Sequence, residues 1–230
     1  MSTTKDKILA EALRQLNQDG IGSVSIRSIA GALDMSAGNL TYHFKNTDAI
    51  IQQLYHNLVA EVNGMLAALN PAALDMGVVF ESVRLTCGIM YRYRFILLDF
   101  AQVGRRVPAI LEHFRNLVNV RMQEFAFFNS VLQQLGYLKT ERVPGQFDVV
   151  TLQMIILGNS WVIDAAIHFP EDTPPEVLTN FYARLMLGYL APSLTEKGLK
   201  ELLEHTGDLR GLRYPGANQP AFSNFIHQQP

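Results

Sequence analysis

Between residues 25 and 47 the chain gathers side chains suited to meeting a nucleic-acid duplex: Asn39, Thr41 and Tyr42 beside the small Ala37 and Gly38, with Arg27, His43, Lys45 and Thr47 close by. An asparagine amide can pair with adenine through two hydrogen bonds, and an alanine or threonine methyl can touch the methyl of thymine. Cations and hydroxyls reach phosphate oxygens instead, which fixes register without reading sequence. These groups act together only if they share one face of a short helix. Leu40 and Phe44, four apart, commit the inner face of such a helix, which leaves Ala37, Gly38, Asn39, Thr41 and Tyr42 facing outward.

A second constellation lies far downstream. Trp161, Asp164, Ala165 and His168 recur at helical spacing, so an aromatic ring, a carboxylate and an imidazole share a face that can orient a ligand. A local Asp164–His168 pair with Trp161 in the core or a subunit seam satisfies the same pattern. Met90, Met122, Met154 and Met186 suit an adaptable cavity lining, or equally the filling of gaps. Catalytic signatures are missing: there is no G-x-S-x-G elbow, phosphate-cradling loop or H-E-x-x-H pair. The six histidines are scattered, and the single cysteine, Cys87, excludes an intrachain disulfide and an all-cysteine zinc site. Neither a metal, nor a cofactor, nor an enzymatic activity is expected.

The elements that must position these groups are all helical. Strand alternation is absent over any useful length, which makes the fold class all-α. A first helix begins near Thr3 or Thr4, carries Ile8, Leu9, Ala12, Leu13 and Leu16 on one face, and stops at Asp19-Gly20. Ser25 suits an N-cap for a short second helix with Ile26, Ile29, Ala30 and Leu33 inward. Asp34-Met35-Ser36 breaks the chain, and Ser36 can cap the third helix. Thr47 is then expected to cap a long fourth helix reaching about Leu69, before Asn70-Pro71. Further helices are expected over 73–93, 95–103, 108–135, 146–169, 174–190 and 195–205, with Gly104, Gly136, Pro144-Gly145, Pro170, Pro174-Pro175 and Pro192 as punctuation. The expected organisation is a helix-turn-helix unit over 1–47, a connecting helix over 48–69, a larger helical bundle over 70–207 and an irregular tail over 208–230. Phe222 and Phe225 are candidates to pin that tail.

Composition bounds the partners. The chain has 230 residues, 48% hydrophobic, with 19 Lys+Arg against 21 Asp+Glu, so neither a disordered chain nor a strongly basic nucleic-acid coat fits. Residues 1–47 hold five basic side chains (Lys5, Lys7, Arg14, Arg27, Lys45) and four acidic ones (Asp6, Glu11, Asp19, Asp34), a net of +1. Each phosphate neutralised adds ~0.9 to the log–log salt slope, so a unit with so few cations must rely on dimerisation. The N-terminal stretch lacks an export-type apolar region, and a cytoplasmic location is expected. Residues 149–169 approach the length of a membrane span, but Asn159, Asp164 and His168 interrupt them. A buried helix of a soluble protein, with no membrane partner, is the better expectation.

Two short helices across a three-residue break, braced by a preceding helix, are the sequence form of a helix-turn-helix, although an ordinary helical hairpin shares the periodicity. The stretch SIRSIAGALDMSAGNLTYHFKNTDAI resembles the DNA-binding signature of the TetR family of bacterial transcriptional regulators. The resemblance rests on Ser25-Ile26-Arg27, Ala30, Ser36, Gly38-Asn39-Leu40 and His43-Phe44 at the family's spacing. It implies a homodimeric regulator, most often a repressor, that binds a double-stranded, pseudo-palindromic DNA operator and is released by a small-molecule effector in the C-terminal body. On that basis Ser25, Arg27, Ser36, Ala37, Gly38, Asn39, Thr41, Tyr42, His43, Lys45 and Thr47 are the expected DNA-contacting set. Trp161, Asp164 and His168 are the expected ligand anchors. Dimerisation through the helices near 146–169 and 174–190 is implied too, with Gly158, Ala165, Ala166, Ala183, Leu187 and Gly188 as close-packing positions. Three positions depart from the family pattern: Asp34 stands for a turn glycine, Thr41 for a tyrosine and Thr47 for a phosphate-gripping lysine. The alternative is a helical ligand-binding or adaptor protein whose DNA-binding unit has weakened or been lost.

Overall fold

The structure is a computed structural model that describes residues 3–215. Local chemistry starts each N-terminal helix. Thr3 and Asp6 form a reciprocal capping box at the head of α1 (Thr4–Asp19), whose Ile8, Ala12 and Leu16 are buried. Gly20 ends it at φ +76°. Ser25 and Ser28 make a second box on α2 (Ile26–Ala32), and the Ser36 hydroxyl accepts from the Asn39 amide to cap α3 (Ala37–His43). Asp34 turns the chain between them at φ +53°, the one non-glycine residue with positive φ among the described residues.

At α4 (Thr47–Ala67) the expected cap is corrected by one position. Asn46 caps the helix by accepting from Ala49 N at 2.9 Å, and Thr47 becomes its first residue, packed inside at 7% exposure. The asparagine carbonyl already reaches the orphan amide, so the threonine is released to pack.

The body continues through α5 (Met76–Arg92), α6 (Arg94–Leu98), α7 (Phe100–Arg106), α8 (Pro108–Gln134), α9 (Gln146–His168), α10 (Pro175–Gly188) and α11 (Glu196–Thr206). Residues 95–103 do not form one helix. Asp99 breaks the run and caps α7 by accepting from Gln102 N at 3.2 Å. Gly104 does not end a helix but lies inside α7, where an added Cβ would come 3.3 Å from Leu111 Cβ. Its role is the close approach of α7 to α8. No strand occurs among the described residues beyond one isolated antiparallel bridge, Leu138–Leu194.

Two apolar clusters hold these helices. One unites α1–α4 with Phe95, Ile96, Val103, Val107 and Ile110. The other joins α5 and α9–α11 around Trp161, Tyr182 and Leu187. Met90 packs against both. Of the tail, a short 3-10 turn over Leu209–Gly211 is seen, while Phe222 and Phe225 lie outside the described residues.

Candidate functional site: an exposed helix and an apolar cavity

Helix α3 is bolted down on one side only. Leu40 is fully buried and Phe44 nearly so, whereas Ser36, Ala37, Gly38, Asn39, Thr41 and Tyr42 all lie on the solvent side. Tyr42 is 85% exposed, an extreme value for a large aromatic ring, and stands edge-on to His43 at 5.3 Å. Thr41 turns its hydroxyl back onto Gly38 O at 2.9 Å, so its methyl and remaining lone pairs are what it offers outward. Ser25, Arg27 and Lys45 are exposed around the same end of the molecule, and neither cation has a carboxylate partner among the described residues. His43 is half-buried. Thr47 alone of the expected set is turned inward.

The N-terminal unit is tied to the body by specific polar clamps. The Asn17 amide donates to Arg92 O at 2.8 Å and its carbonyl accepts from Phe95 N at 3.1 Å, so α1 grips the α5–α6 junction. Arg106 of α7 donates to Ile21 O at 2.6 Å and pairs with Asp48 at the head of α4. Glu61 of α4 accepts from Arg92 at 2.6 Å and from the buried Tyr93 hydroxyl at 2.5 Å. Burial, reinforced by that carboxylate, pushes the Tyr93 phenol well above its ordinary value. Sequence spacing gave no sign of these clamps, because their partners lie 31 to 85 positions apart.

A cavity of about 260 Å³ runs between α4, α5, α8 and α9. Its walls are mostly aliphatic and aromatic, with Phe100, Phe114, Phe125 and Phe128 prominent. Met90, Met154 and Met186 line it, as does Cys87, whose thiol burial pushes up to about 12; Met122 does not. Tyr55 of α4 forms part of the wall and bonds through its hydroxyl to His113 Nδ1 at 2.9 Å.

The three expected ligand anchors stand apart from this cavity. Trp161 is fully buried, stacked on Tyr91 at 5.9 Å and tilted against Tyr182 at 5.0 Å. Asp164 accepts hydrogen bonds from the Tyr182 and Tyr214 hydroxyls and lies 3.6 Å from His168 Nε2. His168 in turn stacks on Tyr214 at 4.2 Å. The helical spacing did bring Asp164 and His168 together, but onto a tyrosine cluster supplied by α10 and the chain after α11. Distances in sequence of 18 and 50 residues hid those partners.

Helix α9 is not the buried core helix expected. It is long and apolar enough to span a bilayer by length and composition, and its inner face packs through Met154, Trp161 and Ala165. Its outer face carries Val149, Leu152, Ile156, Ile163 and Ile167 into solvent, Ile156 at 66% and Ile167 at 69% exposure. The positions expected to pack between subunits mostly face inward instead. Ala165, Ala183 and Leu187 are buried in their own chain, and Gly158 lines the cavity.

Comparison with known proteins meets this geometry at both ends of the chain. Residues 8–54 match the family described as bacterial regulatory proteins, tetR family, and residues 57–202 match one described as bacterial transcriptional repressor. A Bacillus subtilis (strain 168) protein named "Probable HTH-type transcriptional regulator YttP" is 35% identical over 52 residues, 23% of this chain. That match spans only 25% of the relative's length. Among solved structures, a TetR-family transcriptional regulator from Marinobacter aquaeolei VT8 aligns with a TM-score of 0.79 at 20% identity, over 88% of this chain and 97% of that one. A protein from Saccharomonospora viridis, crystallised in complex with choline, aligns with a TM-score of 0.63 at 16% identity, over 84% and 97%. At these identities the structures speak for the fold, whereas the two matched families together run through nearly the whole helical part. With its capped helix-turn-helix ahead of a larger helical body, the chain belongs to the TetR family of bacterial transcriptional regulators.

Proposed function

We propose that the protein is a cytoplasmic, ligand-responsive repressor that binds a pseudo-palindromic operator as a homodimer. The observation that carries this reading is the uncommitted outer face of α3: a small, polar and aromatic surface, capped and braced, with Tyr42 85% exposed. Asn39 reads a base edge, Ala37 and the Thr41 methyl touch thymine methyls, and Tyr42 rests on the backbone or a sugar. Ser25, Arg27, Ser36, Gly38, His43 and Lys45 position the helix on phosphates. Thr47, turned inward, serves α4 packing in this reading. In the dimer two α3 helices enter successive major grooves about 34 Å apart.

Dimerisation is assigned to the exposed apolar stripe of α9 with Val177 of α10 and Tyr189 just past its end, which a second copy would cover as a four-helix seam. The cavity holds the effector. Tyr55 belongs both to its wall and to α4, so a ligand that prefers one placement of α4 shifts the spacing of the two reading helices. Couplings of ~1–3 kcal/mol are typical for such linkage. Asp164 and His168 act as a tie that holds the Tyr214 segment to α9 and α10.

Gel retardation with DNA flanking the protein's own gene, at two salt concentrations, tests the reading. Saturable, salt-sensitive retention that survives excess non-specific DNA is expected. The double variant Asn39→Ala, Tyr42→Ala is expected to lose it by ~100-fold or more while melting at the same temperature, since the dimer gives up the Asn39 base contact, worth ~1–3 kcal/mol, in each half-site together with the Tyr42 backbone contact. Retention unchanged in that variant would place DNA contact elsewhere.

A further inference from the structure

The cavity's lining, group by group, tells what kind of molecule it can hold, given that it is the effector site. Among the described residues its only charged wall members are Arg121 and Glu124, and they satisfy each other at 2.5 Å, while the second Arg121 nitrogen donates to Asn63 at 2.5 Å. The Tyr55 hydroxyl is engaged by His113. Ser82 and Thr86 donate to helix carbonyls of Val79 and Ser82, each at 2.8 Å. No charge and few hydroxyl donors are therefore left for a ligand.

Three polar side chains on the wall are left over, the half-buried Asn159 and two that are deeply buried. Asn129 of α8 is 9% exposed and Thr151 of α9 is 3% exposed, and neither side chain has a hydrogen-bond partner among the described residues. A buried threonine on a helix usually returns its hydroxyl to the preceding turn, as Thr206 does here. Thr151 does not. Both residues line the cavity from neighbouring helices, and polar groups without a protein partner on an otherwise apolar wall favour a ligand that brings a polar group of its own. Asn129 supplies both an acceptor and donors, and Thr151 supplies one of each.

We propose that the effector is an uncharged, mostly apolar molecule whose single neutral polar group, a hydroxyl or carbonyl, is held by Asn129 and Thr151. A carboxylate or ammonium headgroup would be stripped of water in this cavity without an unpaired counter-charge, which selects against it.

The test uses three probes that share an eight-carbon chain, 1-octanol, octanoate and octylammonium, titrated calorimetrically into the full-length protein near neutral pH. Octanol is expected to bind at least ~10-fold more tightly than either ion. Asn129→Leu and Thr151→Val preserve shape and remove polarity, and each is expected to weaken octanol ~3–10-fold, the range of one hydrogen bond, with the helical circular dichroism unchanged. Octanoate or octylammonium binding as tightly as octanol would overturn the neutral-ligand assignment and leave the cavity as the effector site. Octanol affinity unchanged in both variants would overturn the roles of Asn129 and Thr151. If none of the three binds the folded protein, the cavity reading itself falls, and this proposal with it.

Discussion

Asp34 shows how a single residue supports the reading helix. It holds φ +53°, where a side chain with a short polar tip is tolerated and a β-branched one is not. Asp34→Gly is therefore expected to leave stability within ~1 kcal/mol, whereas Asp34→Val should cost ~1–2 kcal/mol in urea unfolding and loosen α3 against α2. Equal stability of the two variants would mean that the turn relaxes without strain. Thr41 and Thr47 show that residue type and residue role separate once the chain folds. Both carry hydroxyls suited to phosphate, yet one returns its hydrogen to Gly38 O and the other is buried in the first turn of α4.

At the scale of elements, α9 carries two apolar faces with different fates. The inner face is buried by α6, α8 and α10, and the outer face has no partner among the described residues. A charge placed on the outer stripe should not disturb the fold. Ile156→Asp is expected to leave the melting transition of the protomer intact, shift its sedimentation mass from dimer to monomer at micromolar concentration, and abolish cooperative operator binding. A wild-type protein that sediments as a monomer at that concentration would remove the stripe from the subunit interface. Close packing elsewhere is less forgiving. A Cβ on Gly198 would lie 2.4 Å from Tyr137 O, the same carbonyl that accepts from Thr195 N at the head of α11. Gly198→Ala must push α11 away from the 137–139 segment, at a cost of ~1–3 kcal/mol measurable by chemical denaturation.

For the whole molecule, buried protons set the alkaline limit of stability. Burial raises Tyr55 from 10.0 to about 12 and Cys87 from 9.0 to about 12, and raises Tyr93 and Tyr182 in the same direction with help from Glu61 and Asp164. Between the ordinary and the raised values the native state keeps protons that the unfolded chain has released. Stability from these groups is thus complete below about pH 9 and declines as pH climbs towards 12. The urea midpoint is expected to be lower at about pH 10.5 than at about pH 8, and Tyr55→Phe should flatten that decline. A midpoint constant across this interval would mean that these groups titrate alike in both states. The same packing joins reading and sensing parts. Asn17, Arg106 and Glu61 link α1, the 21–24 loop and α4 to the α5–α6–α7 corner, whose Met90, Ile96 and Phe100 border the cavity.

Local rules sufficed wherever a structure depends on neighbours in sequence. The caps at Ser25 and Ser36, the break at Asp34, the inner pair Leu40 and Phe44, the all-α class and the family itself were legible, because 3.6-residue periodicity and capping act over three or four positions. Asp99 and Asn46 obey the same rules, and only their competition with equally suitable neighbours hid them. What tertiary structure decided is every property that needs two distant segments at once. The Asp164–Tyr182–Tyr214 cluster, the Asn17 and Arg106 clamps, the inward turn of the small residues on α9 and α10, and the cavity with Asn129 and Thr151 on its wall all depend on which helix faces pair. Pairing is chosen by burial of apolar area, a non-directional force that leaves no fixed spacing in the sequence.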